Sequence, residues 1–317
     1  MTKAPRPHTA VSPPSNTPLR TLPLPLLETA MVVAWSSGFV GARFSIEHAP
    51  AMLVVFWRCL VLTLLLLPFV LGQLRLASPR ALLKNAAIGL LAMAGYLAGV
   101  TQGIALGVPA GLAALLADLL PIGTAMLAWL VLGQRFDRRV WAGLITGLAG
   151  VVLVTHDALA WGGAPWWAYG MPLLGMLSLA VATLWQKRLV PADTLGLLLN
   201  LWLQCAVSVG VFAGLAAITG GLRPVPSSGF VLSVVWTAAI STLGGYGLYW
   251  LCLRRSTATR VASVLYLSPA VTLVWAWVMF DEPLTWLMLV GTAISGVGIW
   301  MVTRQGEQSV PSHPGKP

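Results

Sequence analysis

Apolar residues fall along this chain in long blocks, separated by short polar joins. Ten blocks stand out, at residues 27–46, 51–71, 84–106, 109–132, 138–156, 166–186, 195–219, 227–252, 259–280 and 284–303. Each is close to the ~20 residues that an α-helix needs to cross the hydrocarbon of a bilayer. Gly107, Val108 and Pro109 part the third block from the fourth, and Pro and Gly mark most of the other joins. The pattern predicts an all-α integral membrane fold with ten transmembrane helices.

Composition agrees with this pattern. Of 317 residues only 9% are charged and 57% are hydrophobic, with a mean hydropathy of +0.83. A soluble domain carries about 25% charge, so these few charges would not cover a water-facing surface. Disordered chains are polar and charged, which excludes disorder for most of the length. Cys59, Cys205 and Cys252 are an odd number in apolar runs and form no disulfide framework. Residues 1–25 hold seven prolines and read as a Pro-rich tail without the order of a signal peptide; residues 305–317 read as a second tail.

The net charge of +10 lies in the joins and forms no basic stripe among aromatics, so nucleic acid is not an expected partner. With the amino end in the cytoplasm, 16 of the 19 Lys and Arg residues fall on the cytoplasmic side. Only Arg43 and Arg223 fall outside, and Arg58 lies within the second helix. This asymmetry predicts a multi-pass protein of the cell's inner membrane with both termini cytoplasmic. Trp161, Trp166, Trp167 and Tyr169 would then form an outer interfacial belt.

The chain repeats itself. Shifted by 148 residues, 110–155 matches 258–303 without a gap and with eleven identities over 46 positions. Pro121 meets Pro269, Thr124 meets Thr272, Trp129 meets Trp277, Gly143 meets Gly291 and Gly150 meets Gly298. The unit contains five helices, so the second copy is expected upside down. The predicted organisation is a first repeat at 26–157 and a second at 158–304. Inverted repeats underlie alternating access in many secondary transporters; an old duplication kept only for packing would leave the same trace.

The first helix carries Trp35-Ser36-Ser37-Gly38-Phe39-Val40, followed by Pro50 and then Phe56-Trp57-Arg58. Each half has a Pro in its fourth helix (Pro121, Pro269) and a Gly-rich fifth helix, and the second half has the acidic turn Asp281-Glu282-Pro283. In these features residues 27–304 resemble the drug/metabolite transporter superfamily, specifically its EamA-type ten-helix transporters. The first half departs from the pattern, with Gly133-Gln134 where a Glu is usual. The resemblance implies an exporter of small metabolites such as amino acids or related organic solutes, built as five plus five inverted helices.

Arg58 and Asp118 are the clearest charges inside spans, at similar depth. A charge near the bilayer centre costs about 2.5–3.5 kcal/mol on insertion scales and must face protein or water. Arg58 is a candidate for an anionic group of the substrate and Asp118 for an amine or a coupling proton. A structural ion pair between them is the other reading. Asn200 and Gln204 share a face of the seventh helix and would line the cavity or join two helices. Trp35, Tyr96, Gln102, Trp185, Tyr246, Tyr249 and Tyr266 complete the candidate substrate-binding set. A cavity so lined suits a zwitterion with an apolar side chain or a planar organic solute. Glu28 is expected at the cytoplasmic interface.

The four histidines, His8, His48, His156 and His313, lie in tails or joins, and no His-Glu-x-x-His, Cys-x-x-Cys or Walker-type motif occurs. No catalytic residue, metal site or cofactor is expected. Partners are the bilayer and a small-molecule substrate, and transport would be passive or coupled to a proton or ion gradient. A membrane scaffold or assembly protein, or a lipid-modifying enzyme, remains the alternative on the residues alone. No feature encodes the oligomeric state.

Overall fold

A computed structural model describes residues 22–133, 137–160, 163–186, 188–256, 261 and 264–306. Most of the N-terminal Pro-rich tail, the end of the C-terminal tail, and Gln134, Arg135, Trp161, Lys187 and Arg260 lie outside these residues. The described residues are helical and contain no strand. We number the helices α1 (Leu24–Ile46), α2 (Ala51–Leu76), α3 (Pro79–Ala105), α4 (Ala110–Ala117 and Leu120–Leu132) and α5 (Arg138–Ala160). The others are α6 (Trp166–Gln186), α7 (Leu197–Thr219), α8 (Ser228 to Arg255), α9 (Ser268–Phe280) and α10 (Trp286–Gly306). The first eight are long and apolar enough to cross a membrane, while α9 and the apolar part of α10, Trp286–Met301, are shorter. The chain is a multi-pass membrane protein.

Local chemistry sets the boundaries. Prolines 23, 50 and 109 precede α1, α2 and α4, where a missing N–H costs nothing. Hydroxyls cap three others: Ser78 accepts from the Ala81 N–H at 3.2 Å, Ser227 from that of Phe230 at 3.1 Å, and Thr285 from that of Met288 at 3.2 Å. α2 and α3 extend toward their shared loop beyond their apolar blocks, through Arg75 and from Pro79, because long basic side chains let a helix continue into the headgroups.

Three departures from regular helix recur in the two halves, two of them at positions 148 residues apart. α3 contains the π-helical segment Leu90–Gly95, and α8 contains Trp236–Gly244. α4 breaks at Asp118-Leu119, and a turn at Tyr266-Leu267 precedes α9. Each break ends at a Pro, whose ring clashes with the carbonyl four residues back. α4 and α9 both terminate in a left-handed residue, Gly133 with φ 63° and Asp281 with φ 52°. Asp tolerates this conformation better than most residues with a Cβ.

Packing follows the same exchange. α1 lies against α8 and α9, and α6 against α3 and α4; α2 pairs with α7, α4 with α9, and α5 with α10. The α5–α10 crossing is antiparallel and close. Gly150 abuts Gly291 and Ser295, while Gly298 abuts Gly143 and Gly147. Ser295 Oγ donates to the Gly147 carbonyl at 3.1 Å, and these two residues are themselves 148 apart. The first half of α4, Ala110–Ala117, is buried at every residue and forms the centre of the bundle.

Two expectations about membrane position change. Trp166 and Trp167 are exposed, as an interfacial belt requires, but Tyr169 is buried at the start of α6. Glu28 is buried beside Cys252 and does not face outward at the interface, because α1 packs on α8 at this level.

Candidate functional site

Arg58 enters the bundle from α2 and is 8% exposed. Its Nε and Nη2 donate to the Thr242 hydroxyl at 2.9 and 2.6 Å. Thr242 belongs to the π-helical segment of α8, and its hydroxyl donates to the Thr237 carbonyl at 2.9 Å. A π segment displaces the backbone register by one residue, which sets the Thr242 hydroxyl over the carbonyl five residues back.

Arg58 lines a cavity with Trp35 and Phe39 of α1, Tyr96 and Thr101 of α3, and Tyr246 of α8. The Trp35 ring lies 5.5 Å from that of Tyr246 and 6.2 Å from that of Tyr249, both tilted. The cavity offers about 60 Å³ to the centres of water-sized molecules. One water needs roughly 10–15 Å³ on this measure, so the cavity holds a few waters in this conformation and is contracted for a metabolite. Both π segments flank it, through Ala92 and Met93 on α3 and Ser241 on α8.

Asp118 lies at the break of α4, within electrostatic reach of Tyr96, as are Arg58 and Tyr246. Its Oδ2 is closed to solvent and has no hydrogen-bond partner among the described residues. Arg58 and Asp118 do not form an ion pair with each other. Of the two sequence readings, the structural pair is therefore absent in this conformation.

The structure thus brings together Trp35, Arg58, Tyr96 and Tyr246, with Tyr249 tilted against Trp35 and Asp118 beyond the cavity wall, within electrostatic reach of Tyr96. It does not bring in the rest. Trp185 is 41% exposed at the end of α6 and is turned away from the cavity. Gln204 is buried between α7 and α3, where Gly89 leaves room for its chain. Asn200 is on α7 with a buried Oδ1, Gln102 is half-buried on α3, and Tyr266 is at the break before α9; none of the three lines the cavity. Sequence reasoning missed Thr242, Ser241 and Thr101. The only trace of the first two was a hydroxyl pair ahead of Gly244-Gly245 in an apolar run.

A second cavity, of about 440 Å³, opens at the end of the bundle where α1 meets the α9–α10 turn. Arg43, Glu47, Gly107 and Glu282 line it. Glu282 Oε1 pairs with Arg43 Nε at 3.2 Å, and its Oε2 accepts from the Ala110 N–H at 2.9 Å. The acidic turn thereby ties α1 to the N-terminus of α4, where the helix dipole favours a carboxylate. Burial raises the Glu282 carboxyl above its usual range, and the Ala110 N–H and the Arg43 guanidinium partly offset this. At the other end, Asp193 of the α6–α7 connection pairs with Lys84 at 2.5 Å and Arg80 at 3.9 Å. Its carbonyl accepts from Asn85 Nδ2 at 2.7 Å.

Comparison with known proteins agrees with this architecture. The model of the EamA-like transporter family matches residues 26–156 and again 166–304, so the chain belongs to that family. A chloroplastic WAT1-related protein of Arabidopsis thaliana is 25% identical over 197 residues, which is 58% of this chain and 46% of that protein. The chain therefore matches about half the length of that relative. A protein of Salmonella typhimurium named "Probable amino-acid metabolite efflux pump" is 26% identical over 283 residues, covering 87% of this chain and 93% of that one. One crystal structure shares the fold with a TM-score of 0.58 at 18% identity, over 90% of this chain and 98% of its own.

Proposed function

We propose that this member of the EamA-like transporter family is a secondary transporter that exports amino acids or related small organic solutes by alternating access. Ten spans cross the inner membrane with both termini in the cytoplasm, and the repeats 26–157 and 158–304 are inverted. The antiparallel crossing of α5 on α10 at equivalent residues supports the inversion, because a two-fold axis in the membrane plane produces that meeting. The name of the Salmonella relative supports the substrate class.

One observation carries the reading. A buried guanidinium with only a neutral partner lines an aromatic cavity, and a carboxylate oxygen without a partner lies near it. A helix bundle gains nothing by burying an under-partnered guanidinium and an unpartnered carboxyl oxygen at this depth. A zwitterion would supply both partners: its carboxylate for Arg58, its ammonium for Asp118, and its side chain for Trp35, Tyr96 and Tyr246. Asp118 is equally suited to carry a coupling proton when no amine is bound. The contracted cavity is an occluded stage of the cycle. The Arg43–Glu282 and Lys84–Asp193 ties at opposite ends are contacts that opening would break.

The test is solute flux by the pure chain in proteoliposomes. Arg58→Gln and Asp118→Asn, each checked for folding, should lower it at least tenfold, the scale of one lost charge-assisted contact. Full transport by both variants would remove this pair from the mechanism. A chain that moves no solute would favour a scaffold role.

A further inference from the structure

We infer that Thr242 is a positioning residue that makes Arg58 selective for a carboxylate, by occupying one edge of the guanidinium and leaving the other to the cavity. The inference rests on the reading that Arg58 meets the anionic group of the transported solute, and it adds a residue and a specificity rule to that reading.

A Thr side chain has one proton to donate and two lone pairs to accept with. The π segment places Thr242 Oγ1 2.9 Å from the Thr237 carbonyl, which has no proton, so the hydroxyl proton is committed there. Only lone pairs remain toward Arg58, whose guanidinium can only donate. Both contacts reach the same oxygen, from Nε at 2.9 Å and from Nη2 at 2.6 Å. The distorted helix thus fixes the hydroxyl's orientation before any ligand arrives.

Those two nitrogens form one edge of the guanidinium. Its other edge, Nη1 with the second Nη2 proton, has no hydrogen-bond partner among the described residues. Two parallel N–H donors match a carboxylate in a forked pair, and this geometry distinguishes Arg from Lys. Because the side chain is buried and lines the cavity, a solute there meets the free edge with little competing water. Without Thr242 the guanidinium could turn about its last bonds and offer either edge, at an entropic cost to each binding event. The rule that follows is a preference for a free carboxylate over its amide.

The alternative is that Thr242 merely braces the π segment through its bond to the Thr237 carbonyl. The experiment uses the full chain, purified in detergent and reconstituted. L-leucine, L-phenylalanine and their carboxamides are titrated by tryptophan fluorescence, which Trp35 in the cavity should report, and carboxylate transport is measured by initial rates. The wild type should prefer each free acid over its amide, and Arg58→Gln should abolish that preference. Thr242→Val should weaken carboxylate binding and raise KM by roughly tenfold, with kcat and amide binding little changed. Thr242→Ser, which keeps the hydroxyl, should restore wild-type behaviour. If the Val variant does not fold, Thr242→Ala carries the same expectation.

Retention of the acid-over-amide preference by Thr242→Val or →Ala, while Arg58→Gln loses it, overturns the role of Thr242 and leaves that of Arg58 standing. Equal losses for acid and amide, with a lowered melting temperature, also overturn it in favour of the packing role. No preference in the wild type, or one that survives Arg58→Gln, overturns the Arg58 reading and this inference with it.

Discussion

Gly298→Ala should destabilise the protein, although alanine is the better helix former. A Cβ on Gly298 would stand 2.2 Å from Gly147 N, 2.5 Å from Gly147 Cα and 2.6 Å from the Gly143 carbonyl oxygen. All three are backbone atoms of α5 and cannot rotate aside. Restoring ordinary contact parts α5 from α10 by about 1 Å, and a gap of that size forfeits up to half of each van der Waals contact along the crossing. Overpacking costs about 1–3 kcal/mol, and an immovable neighbour puts this site near the upper figure. The propensity gain of Ala over Gly returns about 1 kcal/mol. The net loss is about 2 kcal/mol, or about 3 °C in melting temperature for a chain of 317 residues. Gly296→Ala, two residues earlier on the same helix, meets nothing within 4 Å and is the control. It should be neutral or stabilising by up to about 1 kcal/mol. Thermal unfolding in detergent measures both. A Gly298→Ala protein that melts with the wild type would refute the close crossing, and so would a Gly296→Ala protein that loses as much.

Other outcomes follow from the ties at the two ends and from the site. Lys84→Met should lower stability by about 1–2 kcal/mol, less than the ~3–5 kcal/mol of a fully buried broken pair, because Lys84 is 31% exposed and Arg80 remains near Asp193. An unchanged melting temperature would show the tie to be energetically silent. Glu282 has a folded-state pKa raised above its unfolded value. Its contribution is therefore fully present below the unfolded pKa and is lost as pH rises through the folded one. Glu282→Gln should flatten the stability profile above pH ~4.5, and a profile that keeps the wild-type fall would contradict this. If Asp118 carries the coupling proton, Asp118→Asn should abolish the dependence of transport on an imposed pH gradient while leaving exchange of solute for solute measurable. Gradient-driven transport at the wild-type rate by that variant would exclude the role.

Sequence determined the helices and little of the site. Ten apolar runs, the proline joins and the basic asymmetry are local properties, and each reads out the transfer of one segment from water to hydrocarbon. The repeat was legible as well. Pro121 and Pro269, matched across the repeat, were expected within the fourth helices and stand just after breaks in the structure, and the Gly-rich fifth helix carries the close face of α5. The π segments left no such mark, since neither Leu90–Gly95 nor Trp236–Gly244 contains a proline. In the fold they pack against α6 and α1, neighbours that no local pattern names.

Which polar side chains meet was a tertiary decision. In a soluble protein the water-facing side of a helix reveals its buried side. Here the surroundings are lipid, as apolar as the core, so helices are hydrophobic on every face and the sequence does not say which way each turns. Trp35 and Trp185, both in first helices of their halves, could not be told apart on that basis. Packing turned Trp35 onto Tyr246 and left Trp185 exposed. Arg58 and Thr242 are 184 residues apart, and only the folded bundle sets them in contact. The chain specified its segments and their duplication through the solvation of each stretch taken alone. The rotation and docking of those segments, set by van der Waals fit and a few buried hydrogen bonds between distant helices, made the site.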